Sequence, residues 1–102
     1  MVFVETPVFT RRVQDYLNDD EYAGLQAFLA ERPGAGKVIR SSGGIRKLRW
    51  ASRGRGKRGG LRLIYYWWVD KDRISMLLAY AKNEQDDLTA DQLKQLRSHL
   101  AP

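Results

Sequence analysis

The sequence contains no cysteine and a single histidine. The first absence excludes a disulfide framework, a thiolate nucleophile and a cysteine-ligated zinc. The second leaves His99 as a structural or exposed side chain near the end of the sequence, which removes histidine-based acid–base catalysis and an ordinary histidine-ligated metal site. No metal and no cofactor are therefore expected. Long apolar runs are also missing. The longest extends from Leu63 to Val69, far short of the ~20 residues needed to cross a bilayer, so no membrane partner is expected. The opening Met1-Val2-Phe3-Val4-Glu5-Thr6-Pro7 has neither a basic region nor a cleavage-type ending, so no signal peptide is expected and a cytoplasmic protein is the simplest fit.

Negative charge is absent from the middle of the chain. No acidic residue stands between Glu31 and Asp70, whereas Arg32, Lys37, Arg40, Arg46, Lys47, Arg49, Arg53, Arg55, Lys57, Arg58 and Arg62 all fall there. Charge concentrated in this way creates a local positive field, and its usual partner is a polyanion. The plain alternative is a solvated face that aids solubility. Interleaving of the cations with apolar strand residues argues against it.

What is present is enough for one core: 43% of the 102 residues are apolar, including three Trp, five Tyr and three Phe. One domain, residues 1–102, is expected. Val2 and Val4, with Phe3, predict a short opening strand that stops at Pro7. Phe9, Val13, Tyr16 and Leu17 predict a helix over residues 8–17. Asn18 and Asp19 then give a break and an N-cap for a second helix. Tyr22, Leu25, Phe28 and Leu29 form its apolar face, and it ends before Pro33-Gly34.

From residue 45 to 51 the period changes to two, with Leu48 and Trp50 opposite Lys47 and Arg49. Residues 61–69 read as a central strand covered on both faces, and residues 74–80 as the next, joined by Asp70-Lys71-Asp72. Tyr65, Tyr66, Trp67 and Trp68 read mainly as core, with base stacking as the alternative, and Trp50 as core. Thr89 and Gln92 form a capping box, flanked by a Leu88–Leu93 staple, for a short terminal helix. The predicted class is α+β: two N-terminal helices, a small antiparallel sheet mixed at its edge, and a short closing helix.

Two nucleotide motifs fail on inspection. Gly54-x-Gly56-x-x-Gly59 precedes a strand rather than a helix, so it is not a dinucleotide fingerprint. Gly56-Lys57 is not a P-loop, because Arg58 replaces the Ser or Thr and Ala51 the first Gly. A cationic sheet face remains. Lys47 and Arg49 share one side of their strand, Arg62 opens the next, and Lys82 follows the third; in an antiparallel meander they would converge near one rim.

The runs Gly43-Gly44-Ile45-Arg46-Lys47-Leu48-Arg49-Trp50-Ala51-Ser52, Gly56-Lys57-Arg58-Gly59-Gly60, Arg62-Leu63-Ile64-Tyr65-Tyr66, Tyr80-Ala81-Lys82-Asn83-Glu84 and Asp86-Asp87-Leu88-Thr89 resemble the HigB branch of the RelE/ParE toxin superfamily. The resemblance implies a RelE-like fold and an mRNA interferase that cuts the message in the A site of the 70S ribosome, touching ribosomal RNA as well. It also implies a cognate helix-turn-helix antitoxin, HigA-like. Arg62 matches the arginine that resembles the family's phosphate-stabilising residue. RelE proper has a substrate-contacting tyrosine near its C-terminal end, whereas no tyrosine follows Tyr80 here; an active-site arginine of RelE falls at Lys82 or Asn83.

Cleavage by the 2′-OH of RNA requires removal of its proton, stabilisation of charge on phosphorus, and protonation of the leaving 5′-oxygen. Arg62 suits the second task, because its fork matches phosphate oxygens. Lys47 and Lys82 are the candidates for the proton steps. Arg46, Arg49, Arg53, Arg55, Lys57 and Arg58 are candidate RNA and ribosome contacts. The resemblance, with these residues in those roles, implies a metal-independent endoribonuclease. Two other readings stand beside it: a basic RNA- or ribosome-binding module without chemistry, and a ParE-like inhibitor of gyrase.

Overall fold

Strand and helix patterns alternate along the chain, and the computed structural model, which describes residues 1–51, 60–85 and 87–100, realises them as eight main elements. In chain order these are β1 (Val2–Glu5), α1 (Pro7–Val13), α2 (Asp19–Glu31), β2 (Lys37–Val38), β3 (Arg46–Trp50), β4 (Leu61–Trp68), β5 (Arg73–Ala81) and α3 (Ala90–Ser98). The strands form one sheet in the order β1-β5-β4-β3-β2. β1 runs parallel to β5, and the other three pairings are antiparallel. The α+β class and the mixed edge match the expectation. No helix among the described residues is long and apolar enough to cross a membrane.

The helices begin where side chains satisfy their first N–H groups. Asn18 accepts from the Glu21 N–H while Glu21 accepts from the Asn18 N–H, both at 2.8 Å. Thr89 and Gln92 make the same reciprocal pair at α3. The first helix is shorter than predicted. After Val13 the N–H groups of Asp15 and Tyr16 turn to carbonyls three residues back, which tightens the chain into the Asn18 cap. Tyr16 and Leu17 remain buried, so their apolar spacing reflects packing rather than continued helix.

α1 and α2 cover one face of the sheet, where Phe9, Leu25 and Leu29 meet Leu63, Tyr65 and Met76. α3 covers part of the other face, with Leu96 against a cluster that includes Ile64, Leu77, Leu78 and Tyr80. β2 was absent from the pattern, since two exposed residues carry no period. It is pinned from outside: the Tyr65 hydroxyl donates to Pro33 O and accepts from the Gly36 N–H, both at 2.8 Å.

One irregularity governs the second face. Tyr65 pairs with Met76 and Ile64 with Leu78, so Leu77 is an extra residue in β5. This β-bulge shifts the alternation by one. Beyond it Ala79 and Ala81 face the α1 and α2 side, and Tyr80 faces the α3 side, level with Arg62. Thr6 fixes the bulge. Its hydroxyl donates to Leu77 O at 2.8 Å and accepts from the Phe9 N–H at 3.1 Å, while its own N–H donates to Met76 O at 3.0 Å.

Thr6→Val keeps the shape of the side chain and removes both hydroxyl bonds. We expect it to destabilise the fold by about 1–3 kcal/mol, from a lost cap and an unsatisfied buried carbonyl, read as a lowered urea midpoint with unchanged slope.

Candidate nucleic-acid interface

Register places three polar side chains in a row across the sheet. Arg49 on β3 is opposite Arg62 on β4, which is opposite Tyr80 on β5. Lys47 lies two residues before Arg49 on the same face, about 7 Å along the strand, in the next row beside Ile64 and Leu78. Depth differs along the row. Arg62 is 5% exposed and Tyr80 fully buried, whereas Arg49 is exposed. One guanidinium thus forms a floor and another a rim.

Lys82 joins them from the end of β5. Its N–H donates to Gly60 O at 3.3 Å, and an open hollow is lined by Arg49, Trp50, Ala51, Gly60, Arg62 and Lys82. Gly60 is required there: its φ is +75°, and a Cβ would come within 3.0 Å of Trp50 O. The turn carrying Lys82 is tied down by Glu84, whose Oε1 accepts from the Tyr16 hydroxyl at 2.5 Å and from the Ala81 N–H at 3.3 Å. Burial, with the Glu84 bond adding to it, raises the Tyr16 pKa, so this phenol stays a donor.

Asp87 closes on one of these cations. Asp87 Oδ1 lies 3.3 Å from Lys47 Nζ and accepts from the Leu88 N–H at 2.9 Å. The backbone bond is the largest cause holding the Asp87 carboxyl below its ordinary value; burial opposes it, and the hydrogen bond and charge of Lys47 lower it further. Tyr80 is shifted upward by burial, and by Asp87 nearby, with Arg62 acting in the other direction.

The structure therefore gathers Lys47, Arg49, Arg62 and Lys82 at one end of one face. Arg46 is not with them. It points to the opposite face, across from Tyr65, where its Nη1 donates to Gly34 O at 3.2 Å and to Gly36 O at 2.8 Å. Arg53, Arg55, Lys57 and Arg58 lie outside the described residues. His99 caps α3 beside Thr6 and Ser75, away from the row. Tyr65 is core, and Tyr66 and Trp68 pack edge to face at 4.8 Å.

Sequence reasoning missed Tyr80 and Asp87 as site residues. Unbroken alternation would have put Tyr80 on the face of Ile74 and Met76, and nothing in the sequence marks Asp87 as Lys47's partner.

With this geometry in view, the comparisons are specific. Residues 35–101, well over half of the chain, match the family described as the RelE toxin of the RelE/RelB toxin–antitoxin system. Among solved structures the chain is similar to Escherichia coli toxin RelE, a double arginine-to-alanine mutant in the free state. The TM-score is 0.57 at 12% identity, covering 98% of this chain and 97% of that one. At that identity the likeness is one of fold.

A depressed carboxyl pKa means that the Asp87 fastening is complete above about pH 4 and is lost as the solution becomes more acid than that. Asp87 is mostly exposed, so water screens the pair and its share of stability is small. An NMR titration should find the Asp87 midpoint below 3.8. In Lys47→Ala the midpoint should rise only part of the way, since the Leu88 N–H is the larger cause; a full return to 3.8 would reverse that ranking.

Proposed function

We propose that the chain, which belongs to the RelE toxin family of toxin–antitoxin systems, is an endoribonuclease that cuts messenger RNA in the A site of the ribosome. The observation that carries this reading is the sunken Arg62, with Arg49 opposite it, Lys82 lining the same hollow and Lys47 one row along the same sheet face. Like charges set opposite one another repel, and an anion between them relieves the repulsion. A phosphodiester is an anion whose oxygens fit a guanidinium fork.

In the proposed reaction the 2′-oxygen attacks the adjacent phosphorus and the bond from phosphorus to the 5′-oxygen breaks. The products are a 2′,3′-cyclic phosphate and a 5′-hydroxyl. Arg62 stabilises the charge that builds on the non-bridging oxygens, with the advantage of a group held in a central strand. Lys47 and Lys82 flank it as the groups that take the 2′ proton and supply one to the leaving oxygen. Arg49 holds the backbone at the rim, and Arg53, Arg55, Lys57 and Arg58 extend that grip to ribosomal or messenger phosphates. The chemistry needs no metal.

The HigB-like motif runs support a type II system in which a HigA-like helix-turn-helix antitoxin binds this toxin. The ribosomal target puts the protein in the cytoplasm.

Programmed ribosomes test the reading. The wild-type protein should cut the message at the A-site codon. Arg62→Ala should keep its circular dichroism spectrum and lose cleavage by about 100- to 1,000-fold, the usual effect of deleting one charge-stabilising donor. Undiminished cleavage by the folded variant would remove Arg62 from the chemistry. Wild-type protein that binds ribosomes without cutting would instead be an RNA-binding module.

A further inference from the structure

We propose that Tyr80 is a further substrate-contacting residue, its hydroxyl donating to the phosphodiester held at Arg62 as Asp87 gives up Lys47. The inference rests on the reading of this face as an RNA phosphate site, and it names a group that neither charge nor motif singled out.

The hydroxyl of Tyr80 is fully buried and, among the described residues, has no hydrogen-bond partner. A buried donor left unpaired weakens a fold, and such groups are few in native proteins. Phenylalanine would fill the same place in the cluster with Ile64, Leu78 and Leu96 without that penalty. Packing therefore accounts for the ring and not for the oxygen.

Its position gives the oxygen a use. Tyr80 is the direct cross-strand neighbour of Arg62, on the face to which the Leu77 bulge turns it. A phosphate engaged by Arg62 would bring acceptor oxygens beside a donor that has none. Burial and the Asp87 charge keep the phenol protonated, so it is available to donate.

Asp87 is the exchangeable anion nearby. Its side chain is 70% exposed, and it is fastened by one ion pair to Lys47 and one backbone N–H. A surface pair of this kind is cheap to break. An incoming phosphate offers Lys47 the same kind of partner, so ligand binding and release of Asp87 are coupled through one cation. The segment is otherwise held from Gln85, which donates to Asp87 O at 2.8 Å and to Gln92 Oε1 at 2.6 Å. The Asp87 side chain can thus swing while its backbone stays anchored.

The test uses the whole chain and a short RNA with a 2′-deoxy substitution at the scissile position, which binds and cannot be cut. Tyr80→Phe should weaken binding roughly tenfold to a hundredfold, the range for a hydrogen bond to a charged group, while its thermal midpoint stays equal or rises. Asp87→Asn, which can still cap Leu88, should tighten binding in the wild-type background and not in Tyr80→Phe. Equal affinity in Tyr80→Phe overturns the proposal. So does a lowered midpoint, which would show an internal hydrogen bond. Cleavage on programmed ribosomes separates the two readings. If wild type binds the RNA through Tyr80 but never cuts, the contact stands and the nuclease falls. If Tyr80→Phe binds and cuts like wild type, the nuclease stands and Tyr80 falls.

Discussion

A single extra residue in β5 determines which side chains share the site. Leu77 has no partner on β4, and its insertion moves every later side chain of β5 to the other face. Two consecutive leucines then serve the same cluster, and Tyr80 stands level with Arg62 instead of under α1. Such an insertion leaves ladder groups unpaired, so it persists only where something satisfies them. Thr6 does so, from the point at which β1 ends and α1 begins. The start of the first helix and the geometry of the distant cationic row are therefore one local arrangement. This is why a threonine followed by proline joins β1 to α1: the threonine caps and bridges, and Pro7 sits at the first helical position, where its missing N–H costs nothing.

The row brings like charges together. Arg49 and Arg62 are cross-strand neighbours of like charge, with Lys47 and Lys82 close by. A sheet selected for stability alone would alternate signs there. Part of the repulsion is offset from within by Asp87, an anion carried just before α3 and held by the capping end of that helix. The protein thus holds a carboxylate on Lys47, one of the cations that the proposed reading sets around the phosphate. Because that carboxylate is exposed, it compensates weakly and can be exchanged.

How much of this could be read beforehand depends on the range of the interaction. Thr89 with Gln92, and Asn18 at the break, are local, and both caps form as their spacing predicts. The alternation of Lys47, Leu48, Arg49 and Trp50 names the two faces of β3, because period two is a local property. Arg46 shows the limit. Its position in that alternation puts it opposite Lys47, yet its charge invited grouping with the other cations; in the fold it secures the carbonyls of Gly34 and Gly36. The length of α1 was overread because Tyr16 and Leu17 keep helical spacing in a chain that has already tightened into the next cap. The bulge was illegible, since Leu77-Leu78 carries no composition that separates an insertion from two ordinary strand residues.

The unequal cover on the two faces completes the logic of the site. Two helices seal one side of the sheet and make the more extensive cluster, while the short α3 seals only part of the other. Arg62 benefits from both. It lies in β4, paired on each side by β3 and β5, with a backbone that the buried face keeps in place. Its side chain faces the side on which the cover stops short, next to an open hollow. A group meant to meet charge as it develops must be held firmly and still be reachable. A central strand of a sheet sealed on one face and partly open on the other meets both conditions, whereas a loop arginine meets only the second. On the proposed reading, the division of labour between a fixed Arg62 and rim groups such as Arg49 and Lys82 follows from that placement.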